Sequence, residues 1–209
     1  MALDSASKAL LQSWAAAAGP NPTPLWQLDA LQARAAAKRK ALQRDPGPAM
    51  ARCEDVLIPV RDGASIPARL LVPTEQPRGL LVYPVTDADF KRASYHEPEN
   101  QTFLSTPSMN WFWDQYVADS SERMHPDASP LRAKDLSGLP AAFVLTGQHD
   151  ILRDEGQAYA AAMADAGVYV EHHQIAGQMH GFFNMTGILP ASDLALERIS
   201  GFLDRKLSA

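Results

Sequence analysis

The stretch from Ala141 to His172 constrains the fold of this chain more than any other. Ala141 to Leu145 is a short apolar run. Glu155 to Ala166 keeps helical spacing until Gly167 closes it, and Val168 to His172 is again β-forming. Strand, helix and strand within about thirty residues make a crossover unit, which joins parallel strands of one sheet with its helix across a face. The fold class is therefore read as α/β. Leu80-Leu-Val-Tyr83 is a further apolar run of the kind buried in a parallel sheet. Val56 to Val60, the turn Arg61-Asp62-Gly63-Ala64, and Ile66 to Val72 read as an antiparallel hairpin leading a mostly parallel sheet. The run 80–83 is expected between this hairpin and the strand 141–145. Residues 84–140 read mostly as loop around a short aromatic helix from Met109 to Tyr116, and a last helix spans Ser192 to Leu203.

Ahead of the sheet the pattern is helical. Leu3, Leu10, Leu11, Trp14 and Ala18 recur at the spacing of a helix that Gly19-Pro20 ends. A second helix is expected after Pro24, with Leu25, Leu28, Leu31 and Ala35 on one face and Lys38-Arg39-Lys40 at its end. Basic residues in a last turn suit the helix dipole, so the triplet reads as a solvated end. Asp45-Pro-Gly-Pro48 breaks the pattern and divides a helical arm, 1–48, from an α/β domain, 49–209.

Composition narrows the function. A chain that is 46% hydrophobic and 21% charged reads as soluble and globular. Its net charge of −5 supplies no field to attract nucleic acid or an anionic membrane. The N-terminus does not read as a secretory signal, because Asp4 offsets Lys8 and Gln12-Ser13 interrupt the apolar stretch. No apolar run approaches a membrane span, and the expected setting is the cytoplasm. The single cysteine, Cys53, excludes an internal disulfide and reads as a small apolar residue before a strand. Self-association is left open.

The crossover unit also places two titratable side chains. Asp150 lies just past the strand 141–145, and His180 lies in the loop after the strand 168–172. Parallel strands end on one edge of their sheet, and open α/β sheets carry their sites at the carboxyl edge. An aspartate that accepts the Nδ1 hydrogen of a histidine orients the ring and stabilises the imidazolium formed in acyl transfer. Asp150 and His180 are the candidate catalytic pair, although on the residues alone such an aspartate more often caps a helix and such a histidine is more often a surface or structural residue. Trp111, Phe112, Trp113 and Tyr116 read as core or pocket lining. His172-His173 read as ordinary strand-end residues without a metal-ligand partner, and Asp154 and Glu155 as charges serving a helix start.

The local motifs sharpen this. Gly147-Gln-His-Asp-Ile-Leu-Arg-Asp-Glu-Gly156 and Gly177-Gln-Met-His-Gly-Phe-Phe183 resemble the acid and histidine motifs of the hormone-sensitive-lipase-like (bacterial family IV type) α/β-hydrolase carboxylesterases. Tyr83-Pro-Val-Thr-Asp87, Trp111-Phe-Trp113, Ser129-Pro-Leu131 and Asp135-Leu-Ser-Gly-Leu-Pro140 are similar to the region between them. The resemblance covers the hairpin and nearly everything from Leu80 onward, and the helical arm is similar in character to that family's N-terminal cap. It implies Asp150 as triad acid, His180 as general base, and hydrolysis of short-chain carboxylic esters without a cofactor or a metal. The implied partner is a small acyl ester.

One departure stands against that activity. These esterases carry their serine in Gly-x-Ser-x-Gly and their oxyanion donors in His-Gly-Gly-Gly. The chain has no two adjacent glycines. Its one Gly-x-Ser, Gly63-Ala64-Ser65, continues into Ile66-Pro67 and sits in the hairpin turn, where Ser65 reads as a turn residue. The joint at Leu81-Val-Tyr-Pro84 resembles the start of one family strand fused to the end of a later one. The resemblance thus implies a truncated α/β-hydrolase sheet, short of roughly 60–100 residues at about thirty per strand–helix–strand unit, and a chain that is catalytically defective or a non-catalytic binding protein.

Overall fold

The computed structural model describes residues 2–41, 52–59, 63, 65–72 and 79–207. The Asp45–Pro48 boundary lies outside them, as does most of the hairpin turn.

Helix α1, Ser5–Ala18, starts at Asp4, whose carboxylate accepts the Ser7 N–H, and stops at Gly19 with φ of +81°. The second helix begins later than its apolar spacing suggests. Leu25–Gln27 form only a short 3-10 turn, and α2 spans Ala30–Ala41. The reason is a reciprocal cap. Asp29 Oδ1 accepts from Gln32 N at 2.8 Å while Gln32 Oε1 accepts from Asp29 N at 3.2 Å.

Strands β1, Arg52–Pro59, and β2, Ser65–Val72, pair antiparallel with Ile58 opposite Ile66. Cys53 is exposed within β1 rather than sheltered ahead of it, and Ser65 opens β2 on the exposed surface. Strands β3, Gly79–Val82, β4, Ala142–His149, and β5, Val170–Met179, form a separate parallel sheet in the order β3-β4-β5. β3 therefore does not lie between the hairpin and β4. A hairpin closes its own ladder, and hydrophobic patterning specifies which face of a strand is buried, not which strand lies beside it. β4 and β5 also run further than their apolar stretches, because polar residues continue both ladders. Thr146 Oγ1 meets His172 Nε2 at 3.0 Å, and Gln148 Oε1 accepts from Gly177 N at 2.8 Å.

The alternation of β4 divides the core. Phe143 and Leu145 face a cluster with Ile175, Phe182, Leu189, Ile199 and Phe202, covered by α5 (Pro190–Leu207) and by Ala6 and Leu10 of α1. Ala142 and Val144 face the opposite side, where α4 (Arg153–Asp165) supplies Ala160 and Met163. A third cluster joins Ile151 and Leu152 to Tyr95, Leu104, Met109 and Trp113, the last two on α3, Thr106–Tyr116. Among the described residues no helix is long and apolar enough to cross a membrane.

Candidate active site

The two residues singled out in the sequence meet at the carboxyl edge of the sheet. His180 Nδ1 lies 2.8 Å from Asp150 Oδ2. Asp150 follows directly on β4 and is fully buried; its Oδ1 accepts from Leu152 N at 2.9 Å in the turn that starts α4. His180 follows directly on β5. Their approach depends on the register shift between Gly147 and His149, where β5 closes on β4. A Cβ on Gly147 would stand 2.8 Å from the Gln178 carbonyl oxygen, so glycine is what the close approach allows. Gly181, at φ of +81°, then turns the chain away from His180.

With Asp150 accepting at Nδ1, the neutral ring carries its hydrogen there and leaves Nε2 as the proton acceptor. Among the described residues His180 has no second hydrogen-bond partner. Its side chain is 16% exposed and lines a cavity of about 670 Å³. The walls are mainly apolar, with Val85, Leu104, Met109, Phe112, Trp113 and Tyr116 among them. Of the four aromatic residues expected as core or lining, Trp113 is core, Phe112 and Tyr116 line the cavity, and Trp111 lines a neighbouring one while donating from Nε1 to the Leu28 carbonyl at 3.1 Å. A second cavity of about 730 Å³ reaches His180 between α2 and α3.

No serine, threonine or cysteine among the described residues lines the first cavity. Ser108 lines the second, but its hydroxyl is engaged with Ser105 Oγ at 2.9 Å in the cap of α3. Tyr83 contributes a hydroxyl to the first. Burial, and then the negative charge of Asp150, push that hydroxyl up to about 12, so it stays protonated at neutral pH and accepts from Asn184 Nδ2 at 2.9 Å.

Tyr83 is a residue whose position the sequence does not convey. It is read as the last residue of its strand, yet it sits beyond β3 at φ of +37°, the one non-glycine residue with positive φ among those described. Its N–H donates to the Leu145 carbonyl at 2.6 Å, and its ring lies 4.4 Å from that of His180. The Tyr-Pro step gives no signal of this, since the residue before a proline is steered toward extended backbone and so reads as strand.

Glu155 is the second residue missed. It does lie in the first turn of α4, as a charge serving a helix start would, but it is a fully buried carboxylate. Oε1 accepts from Thr86 N at 2.7 Å and Asp87 N at 3.3 Å, and Oε2 accepts from the Tyr95 hydroxyl at 2.9 Å. It thereby ties the segment after β3 to α4. Asp154 does serve locally, pairing with Arg153 and accepting from Ser94 N at 2.8 Å. Burial alone would raise the neighbouring Asp87 carboxyl, but hydrogen bonds from Arg132 and Arg92 outweigh it and hold the group below its usual range. His172 and His173 lie within β5; His172 is held low by burial and by His173.

Comparison with known proteins agrees with this architecture. The family model described as alpha/beta hydrolase fold matches residues 66–184. The chain is 37% identical over 133 residues to the carboxylesterase NlhH of Mycobacterium tuberculosis, covering 62% of this chain and 42% of that protein. It is 33% identical over 128 residues to the ethyl acetate hydrolase of Pseudomonas putida, covering 61% of this chain and 40% of that one. The chain thus spans about two fifths of the length of these relatives. The Pyrobaculum calidifontis esterase superposes with a TM-score of 0.55 at 34% identity, over 62% of this chain and 43% of that one. A thermostable esterase from Pseudomonas putida gives 0.73 at 22% identity over 94% and 95%, a likeness of fold alone.

Proposed function

Because the chain belongs to the alpha/beta hydrolase family, we propose that it carries the acid and base of a carboxylic ester hydrolase site and binds small acyl esters without turning them over. The observation that carries this is the 2.8 Å Asp150–His180 contact beside an apolar cavity. The esterases among its relatives support the substrate class. Turnover needs two more parts. One is an activated nucleophile. The other is a set of donors aimed at the developing oxyanion, of which a single one is worth about 10²–10³ in rate. The 209 residues contain neither Gly-x-Ser-x-Gly nor a glycine-rich His-Gly-Gly-Gly stretch, which we attribute to an internal deletion at Leu81–Pro84. A histidine acting alone as general base contributes about 10²–10⁴. The setting that goes with this reading is cytoplasmic, with no nucleic acid or membrane partner.

The test is hydrolysis of p-nitrophenyl butyrate by the chain and by His180→Ala, with fluorophosphonate labelling alongside. We expect equal rates near background and no labelled serine. Clear turnover abolished by His180→Ala, with an adduct on a serine of this chain, would overturn the proposed defect. A second reading, a non-catalytic protein on the same scaffold that binds other partners, is favoured by the mainly apolar lining of the cavity; apolar ligands without an ester group that quench tryptophan fluorescence where ester analogues do not would support it.

A further inference from the structure

We propose that helix α1 is a clamp that positions His180, acting through Asp4, Ser7 and Trp14. The proposal rests on the reading of His180 as the base of the site, and these are positioning residues that act through others.

His180 stands on a short peg, between the last residue of β5 and the turn at Gly181. α1 holds that peg from two directions. On the strand side, Asp4 N donates to the Gly177 carbonyl at 3.1 Å. The buried Gln178 side chain donates to the Asp4 carboxylate and accepts from the Ser7 hydroxyl at 3.2 Å. Ser7 and Gln178 have essentially no solvent exposure, so breaking these bonds strands buried polar groups, which is costlier than losing surface bonds. On the ring side, Phe103 stacks on the His180 imidazole at 6.3 Å with planes 13° apart. Trp14 of α1 packs against Phe103 at 5.6 Å. Phe103 is 52% exposed and lies on a connection rather than a helix or strand, and Gly181 makes room for it, since a Cβ there would stand 3.0 Å from the ring.

Ser7 is the sole fully buried residue of α1, so the helix is anchored chiefly where it meets this loop and through Ala6 and Leu10 on the core. That distribution of contacts suits a positioning element more than a core helix. With α1 released, Phe103 and residues 177–181 lose their outer support while Asp150, fixed by β4 and the α4 turn, does not move. The consequence is a weakened Nδ1–carboxylate bond.

The experiment uses the whole chain and needs no turnover, so an absence of esterase activity leaves it standing. The downfield Nδ1 proton of His180, assigned by its loss in His180→Gln, is followed by NMR together with amide exchange of residues 177–183. His172, bonded to Thr146 within the sheet, reports that the fold persists. In Asp4→Ala/Trp14→Ala we expect the downfield proton to vanish and amide exchange over 177–183 to rise about tenfold, with the His172 signal unchanged. Trp14→Phe and Asp4→Asn should restore both. An unchanged His180 proton in the double variant would overturn the proposal. Should that variant lose the His172 signal as well, the single Trp14→Ala variant decides by the same readouts.

Discussion

Replacing Glu155 by glutamine should remove a pH dependence from the stability of this protein. Burial is the largest influence on the carboxyl, and together with the negative charge of Asp87 it outweighs the hydrogen bonds from Thr86, Tyr95 and Asp87, raising the group from 4.5 to about 7. The folded state then binds a proton more tightly than the unfolded chain. Stability from this group is complete below about pH 4.5, declines as pH rises through the interval, and is lost above about 7. At about 1.36 kcal/mol for each pKa unit, the loss amounts to roughly 3 kcal/mol, a large part of a typical stability of about 5–15 kcal/mol. Glutamine cannot ionise, and its amide still accepts from Thr86 N and Asp87 N. Urea denaturation of both proteins at intervals from pH 4.5 to 8 measures the effect. The wild-type curve should fall relative to Glu155→Gln by about 3 kcal/mol across that range, while shared titrations cancel in the difference. Parallel curves would refute the assignment of a buried carboxyl with a raised pKa to this position.

Gly156→Ala in α4 should destabilise by up to about 2 kcal/mol in thermal melts, where an unstrained helix glycine would give a gain: alanine ordinarily gains about 1 kcal/mol in a helix, but its Cβ would stand 2.9 Å from Thr146 Cγ2, and overpacking costs about 1–3 kcal/mol. Phe202→Ala, which empties a fully buried site against Phe143, should cost about 3–5 kcal/mol by urea denaturation. β3 has a partner strand on one side only among the described residues, and Leu80 and Val85 are each 40% exposed. The chain should therefore bind ANS, since each 100 Å² of uncovered apolar surface forfeits about 2.5 kcal/mol; a sharp cooperative melt with no dye signal would count against this.

The apolar spacing of 141–172 was enough to read β4, α4 and β5 in parallel order, because buried strands and amphipathic helices must write their periods into the chain. The ends of those elements were less legible. Thr146, His172 and Gln148 extend strands through side-chain partners that no periodicity announces. α2 starts late because one reciprocal cap at Asp29 and Gln32 outweighs the leucine spacing ahead of it.

At the site the division is sharper. The sequence alone placed Asp150 and His180 beyond the ends of two parallel strands, and so on one edge of the sheet; that both follow directly on paired strands came with the structure. The lack of a Gly-x-Ser-x-Gly is likewise a property of the letters alone. Tertiary structure decided the rest. Glu155 looks like any helix-start acid until the segment after β3 folds over it and removes its water. Tyr83 reads as a strand residue until its backbone turns to set the ring beside His180. Asp4 reaches the histidine loop from 174 residues away, and Trp14 reaches, from 89 residues away, the Phe103 ring that stacks on His180. Burial and long-range contact depend on which surfaces meet, and a local pattern carries no record of that.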